Sequence, residues 1–226
     1  MRTCVGILVS KNSKHTVWVS GAPLKSASVV SLAELLSLPE PPMKERLRLA
    51  VRLASSVLQF HNTEWLQERW DKQDIYLVQG DSSQPSNNSL ETPVVIQDPT
   101  SEVLKTGGST ESSIIAGNMS LFSLGIVLIE LWFWRNVESF QADTLQAGDP
   151  DTAIFITAVG LIETLYEVAG IKYATSVRHC IRGLDHQEPR LENSEFMNEV
   201  YLKVLQPLEE HLELFYAKTL VGIFAK

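Results

Sequence analysis

Two aspartates stand where a metal-assisted reaction could use them. Asp74 opens the apolar run "DIYLV" and Asp98 closes "VVIQD". Oxygen ligands from two such side chains can share one hard cation. Phosphoryl transfer needs such cations to neutralise the charge on the phosphates. The grip on those phosphates is missing, because neither G-x-G-x-x-G nor G-x-x-x-x-G-K-[ST] occurs in the chain. Asp98 before Pro99, and an aspartate at a strand end, are also ordinary turn chemistry, and that plainer reading is preferred. His179, Cys180 and His186 raise the question of a metal site. Adjacent helical residues diverge, so the expectation is a core cysteine beside a surface histidine. Ser123 precedes Gly125 without the G-x-S-x-G elbow. Neither Cys4 nor Cys180 has an activating base marked by its surroundings. No catalytic, cofactor-binding or metal-ligating residue is assigned, and no cofactor is expected.

The elements that must position these residues follow from periodicity. "VGILV" (5–9) and "HTVWV" (15–19) predict two strands joined by a polar turn, a hairpin. "SLAELLSL" predicts a short helix with Ser31 and Glu34 spaced as a capping box, ended by Pro39, Pro41 and Pro42. From Met43 to His61, Leu47, Val51, Ala54 and Leu58 form a helical stripe that Ala50, Leu53 and Val57 widen. "DIYLV" (74–78) and "PVVIQ" (93–97) predict a second hairpin around the polar loop 80–92, and 99–117 is rich in Gly, Ser and Thr. Helices are predicted over 151–170, stopped by Gly170, over 172–184, ending near Gly183, and over 194–218, kinked or split by Pro207.

The most apolar segment is "NMSLFSLGIVLIELWFW" (118–134). A membrane span needs about 20 mostly apolar residues, and this run is shorter and carries Glu130. A central helix of a core is the expectation. Glu130 should then pair with a buried arginine or a backbone amide, since an unpaired buried charge is costly. At least one of Trp132, Phe133 and Trp134 should reach the surface. The chain has 226 residues, a formal charge of −8 and 44 % hydrophobic residues. That suits one domain with a sizeable core and argues against a phosphate-backbone reader. Two distant cysteines form no disulfide framework, which favours a cytoplasmic setting.

Three stretches resemble the C-terminal lobe of protein kinases: "RLRLAVRLASSVLQFH", the pair "DIYLV"/"VVIQD", and "SLFSLGIVLIEL". A closer likeness covers most of the chain. "RLRLAVRLASSVLQFHNTEWLQERWDKQDIYLV", with "SLFSLGIVLIELW", "HCIRGL" and "VYLKVLQPLEEHL", resembles the DUF7580 family of fungal kinase-like domains, often found behind a helical prion-inhibition or cell-death domain. Thr63, Trp65, Leu66 and Trp70 carry its most specific piece. The absence of such a helical domain makes the chain resemble a truncated or stand-alone member.

The resemblance implies an α+β, mainly helical fold: a kinase-like C-terminal lobe with small N-terminal and mid-chain hairpins. It forms a single domain over 1–226, divided into a residual 1–42 and a helical core 43–226. Ungapped placement on the kinase catalytic loop puts Gln67, Glu68 and Arg69 where His, Arg and Asp belong, with Asp74 at the metal-binding Asn and Asp98 at the start of Asp-Phe-Gly. A permanent cation then occupies the base position. Trp65 and Trp70 are expected to cover the end of the long helix, in place of a catalytic loop's ionic network. The expected function is a non-catalytic pseudokinase module, not an enzyme. It would act through a protein partner in fungal self/non-self or cell-death signalling, with no nucleic acid and no membrane span. The alternatives are an atypical ATP-dependent phosphotransferase using Asp98 and Asp74, and a helical interaction domain unrelated to kinases.

Overall fold

The computed structural model describes residues 2–10, 13–20, 28–60, 69–79, 93–95, 118–141, 149–184, 190–191 and 193–224. Strands β1 (Arg2–Ser10) and β2 (Ser13–Ser20) pair antiparallel. The register shifts between Cys4 and Gly6, which leaves Val5 as the extra residue of a bulge. A second sheet has the order β3 (Ser28–Ser31), β4 (Ile75–Gln79), β5 (Pro93–Val95), antiparallel throughout. The mid-chain hairpin is therefore present, but β4 is the centre of three strands and not one of two. Four residues of "SVVS" are too few to show a period, and β3 exists because it can pair with the free edge of β4. Ile75 and Leu77 alternate into the core.

Ser31 ends β3 and caps α1 (Leu32–Leu35). Its hydroxyl accepts from the Glu34 amide at 3.1 Å, and the Glu34 carboxylate accepts from the Ser31 amide at 3.0 Å. The capping box read from the sequence is present. Helix α2 (Met43–Phe60) buries Leu47, Leu49, Ala50, Leu53, Ala54 and Val57, with Val51 and Leu58 packed at the margin of the core. It also buries Arg46, whose guanidinium donates to the Leu131 and Trp132 carbonyls and pairs with Glu40.

Those carbonyls end α3 (Met119–Phe133), the central helix, begun by Asn118, whose side chain accepts from the Leu121 amide. Ten of its residues, from Ser120 to Leu131, are buried on all sides. It packs on α2 and on α5 (Ile171–Arg182). Among the described residues no helix is long and apolar enough to cross a membrane. The helix stops at Trp134, which takes the left-handed conformation (φ 50°). That is unusual without glycine. Burial of the indole and its N–H bond to the Leu38 carbonyl at 2.8 Å offset the strain. Trp132 and Phe133 keep partial access to solvent.

A 3-10 turn (Val137–Phe140) leads to α4 (Pro150–Val168), capped by Asp149 with Pro150 in its first turn. Gly170 (φ 81°) separates α4 from α5, and Gly183 (φ 79°) ends α5, as the sequence predicts. The last segment runs as α6 (Ser194–Val200), a π-helical turn (Tyr201–Leu205) and α7 (Gln206–Phe224). Pro207 cannot donate to the carbonyl four residues back, that of Lys203. Neighbouring α5 fills the gap: His179 Nδ1 lies 3.1 Å from the Lys203 carbonyl, and the Ser176 hydroxyl donates to that of Val204 at 2.9 Å. The helical path runs on through the proline, with one π turn, Tyr201–Leu205, just before it.

Candidate functional site

The segment 69–74 leads into β4 and is fastened to four elements. Its turn is made by its own aspartates. The Asp71 carboxylate accepts from the Gln73 amide at 2.6 Å, and the Asp74 carboxylate accepts from the Asp71 amide at 2.9 Å. The Lys72 carbonyl accepts from the Ala33 amide of α1 at 3.1 Å. The Lys72 ammonium reaches the other way, donating to Glu130 of α3 at 2.6 Å and to Glu138 of the 3-10 turn at 3.2 Å. Arg69 donates with both terminal nitrogens to the carboxylate of Asp151 in the first turn of α4, one bond being 2.9 Å.

These pairs set the charge states. Hydrogen bonding to Asp151 holds the Arg69 guanidinium above its already high range. Burial favours loss of the Lys72 proton, but its bond to Glu130 and the charges of Glu130 and Glu138 outweigh this, and its pKa is raised. Burial pushes the Glu130 carboxyl up, against the opposing bonds from Lys72 and the Val137 amide. Burial also raises Asp74, against the opposing bond from the Asp71 amide, with the charge of Asp71 adding a smaller push upward.

Together the segment, α3, the 3-10 turn and α4 enclose a cleft of about 370 Å³. Asp71, Gln73, Asp74 and Glu138 are exposed at its rim. Phe122, Ile126, Val127 and Ile154 add apolar side chains to its lining. Trp70 lies in the wall and is buried.

The sequence-derived candidates distribute unevenly around this cleft. Asp74 lines it, with its carboxylate turned onto the Asp71 amide. Asp98, Trp65, His186, Thr63, Leu66, Gln67, Glu68 and the stretches 80–92 and 99–117 lie outside the described residues. Arg69 lines the cleft as an ion-pair partner of Asp151. Of the two indoles expected to cover the end of the long helix, Trp65 lies outside the described residues and Trp70 is buried; two cation–carboxylate clusters brace the segment that carries Trp70. Glu130 has its backbone amide, Val137 at 2.9 Å, but its cation is Lys72 and not an arginine. Arg46, the buried arginine, serves the end of the same helix instead.

Lys72, Glu138 and Asp151 escaped sequence reasoning. The only signal was the demand of Glu130 for a partner, and nothing local says that position 72 answers position 130. Ser123 is buried in α3 and lines the cleft. Cys180 is wholly buried, and burial pushes its thiol far up, which makes it inert. His179 is half-buried and occupied by the Lys203 carbonyl; burial lowers its pKa. Among the described residues no group of three or more His, Cys, Asp or Glu is placed to hold a metal.

A family model described as a domain of unknown function (DUF7580) matches residues 9–215. The chain belongs to the DUF7580 family. No curated protein and no solved structure matches it. The match takes in every element that borders the cleft of this DUF7580 domain.

Proposed function

We propose that this DUF7580 domain is a non-catalytic, kinase-like regulatory module that works by binding another protein. The observation that carries the reading is Arg69. The sequence resemblance puts it at the position of a kinase's proton acceptor, and both its terminal nitrogens are committed to Asp151. A guanidinium cannot take a proton from a substrate hydroxyl. The surrounding charge supports the same reading. Among the described residues that line the cleft, five carboxylates (Asp71, Asp74, Glu130, Glu138, Asp151) stand against two cations (Arg69, Lys72), and both cations are paired. A nucleoside triphosphate would add negative charge to that surplus. The antiparallel strands at 75–79 and 93–95 agree with the paired strands expected of a kinase-like lobe and not with a purely helical domain. A cytoplasmic place, and a role in fungal self/non-self or cell-death signalling, are the context that the family resemblance suggests.

Calorimetric titration with MgATP tests this. The expected result is no heat of binding at millimolar nucleotide. ATP turnover that disappears on Asp98→Ala would falsify the non-catalytic reading in favour of an atypical phosphotransferase.

A further inference from the structure

Two residues in the wall of the cleft each keep a buried polar atom that no described residue satisfies: Trp70 Nε1, a donor, and Glu130 Oε2, an acceptor. Trp70 is 3 % exposed and Glu130 0 %. Lys72 and the Val137 amide both use the other oxygen of Glu130. Leaving such a group unmade costs about 1–3 kcal/mol, more when it is charged. An orphan donor and an orphan acceptor bordering one cleft mark a place that a ligand or ordered water fills.

Charge selects the ligand. Among the described lining residues, two cations against five carboxylates leave a formal surplus of three negative charges, which attracts positive charge and repels anions. Phe122, Ile126, Val127 and Ile154 in the same lining offer contact to hydrocarbon. We infer that the cleft binds an organic cation, an ammonium or guanidinium group on an apolar stem. Its N–H groups reach Glu130 Oε2, its stem lies on those apolar side chains, and a carbonyl beside the stem accepts from Trp70. The cation is either a lysine or arginine side chain of a partner polypeptide or a free amine. The inference deepens the interaction-module reading and rests on it, since it leaves the cleft free of nucleotide.

The test is NMR titration of the full chain, following the indole N–H resonance of Trp70, which Trp70→Phe identifies by its loss. The probes are agmatine (a guanidinium on a four-carbon stem), a pentapeptide with a central arginine, and the same peptide with neutral citrulline. Saturable shifts with both cations and none with citrulline are expected. Glu130→Gln should weaken binding about tenfold, as loss of a charge-assisted bond implies. Asp71→Asn with Asp74→Asn, both exposed, should weaken it about threefold, and this variant carries the test if Glu130→Gln unfolds. Tighter binding of the arginine peptide than of agmatine assigns the site to a polypeptide partner, and the reverse assigns it to a free amine. Silence with both cations at millimolar concentration, equal binding of citrulline, or unchanged affinity in a folded variant overturns the inference and leaves the orphan atoms to water. A Trp70 shift on adding MgATP would instead count against the non-catalytic reading, whereas silence with cations and MgATP alike defeats this inference alone.

Discussion

Glu130 is the residue on which most of the site depends. It sits wholly buried on the central helix, and its charge is tolerable because Lys72 and the Val137 amide share one oxygen. Removing one partner of such a pair strands a charge in a poorly solvated place. Lys72→Met is therefore expected to cost about 3–5 kcal/mol in urea denaturation, and Lys72→Met with Glu130→Gln should recover most of it. The pH dependence has a definite sign. Burial raises the folded pKa of Glu130, so its contribution is fully present below the unfolded value of about 4.3 and is lost as pH rises through the folded value. Without Lys72 that folded value climbs further, and the deficit of Lys72→Met should grow as pH rises above the unfolded value. A deficit that is flat with pH would show that Glu130 is not the group left stranded. Lys72, raised in the native protein, loses its own contribution only above its ordinary range, as pH climbs through its folded pKa.

At the level of elements, the contact between α3 and α5 decides how Glu130 is presented. Gly125 faces α5 so closely that an added Cβ would lie 2.7 Å from Ile181 Cδ1 and 2.9 Å from Cys180 Cβ. The first neighbour is the end of a flexible chain; the second is anchored to the backbone and cannot swing away. Gly125→Ala should destabilise by about 1–3 kcal/mol through overpacking, less whatever helix propensity returns. Gly160, exposed in α4, meets nothing within 4 Å, so Gly160→Ala should stabilise by up to about 1 kcal/mol. The opposite signs of the same substitution are read from paired melting curves. The π turn before α7 belongs to this scale too. Its proline was visible in the sequence, but the side chains that complete it, Ser176 and His179, come from another helix.

Across the whole molecule, α3 joins the helical layer to the cleft, and its loss should be felt everywhere at once. Leu128, fully buried there, should cost about 2–5 kcal/mol as Leu128→Ala. In a chain of this length that lowers the melting temperature on the order of 10 °C. Far-ultraviolet and near-ultraviolet signals should fall together; a split transition would mean that the sheet and the helical core unfold independently. The sequence by itself determined the helices, the capping box at Ser31, the two hairpins and the burial of the central helix, because 3.6- and 2-residue periods, capping residues and glycines are local signals. It also placed a cation at position 69 and an acid at 130. Only the tertiary structure decided that Arg69 meets Asp151, that Lys72 meets Glu130 and Glu138, that β3 completes a sheet, and that Trp70 and Glu130 border one cleft. These pairings join residues far apart in the chain, and a carboxylate's partner is chosen by which side chain the fold brings within reach, which no spacing encodes.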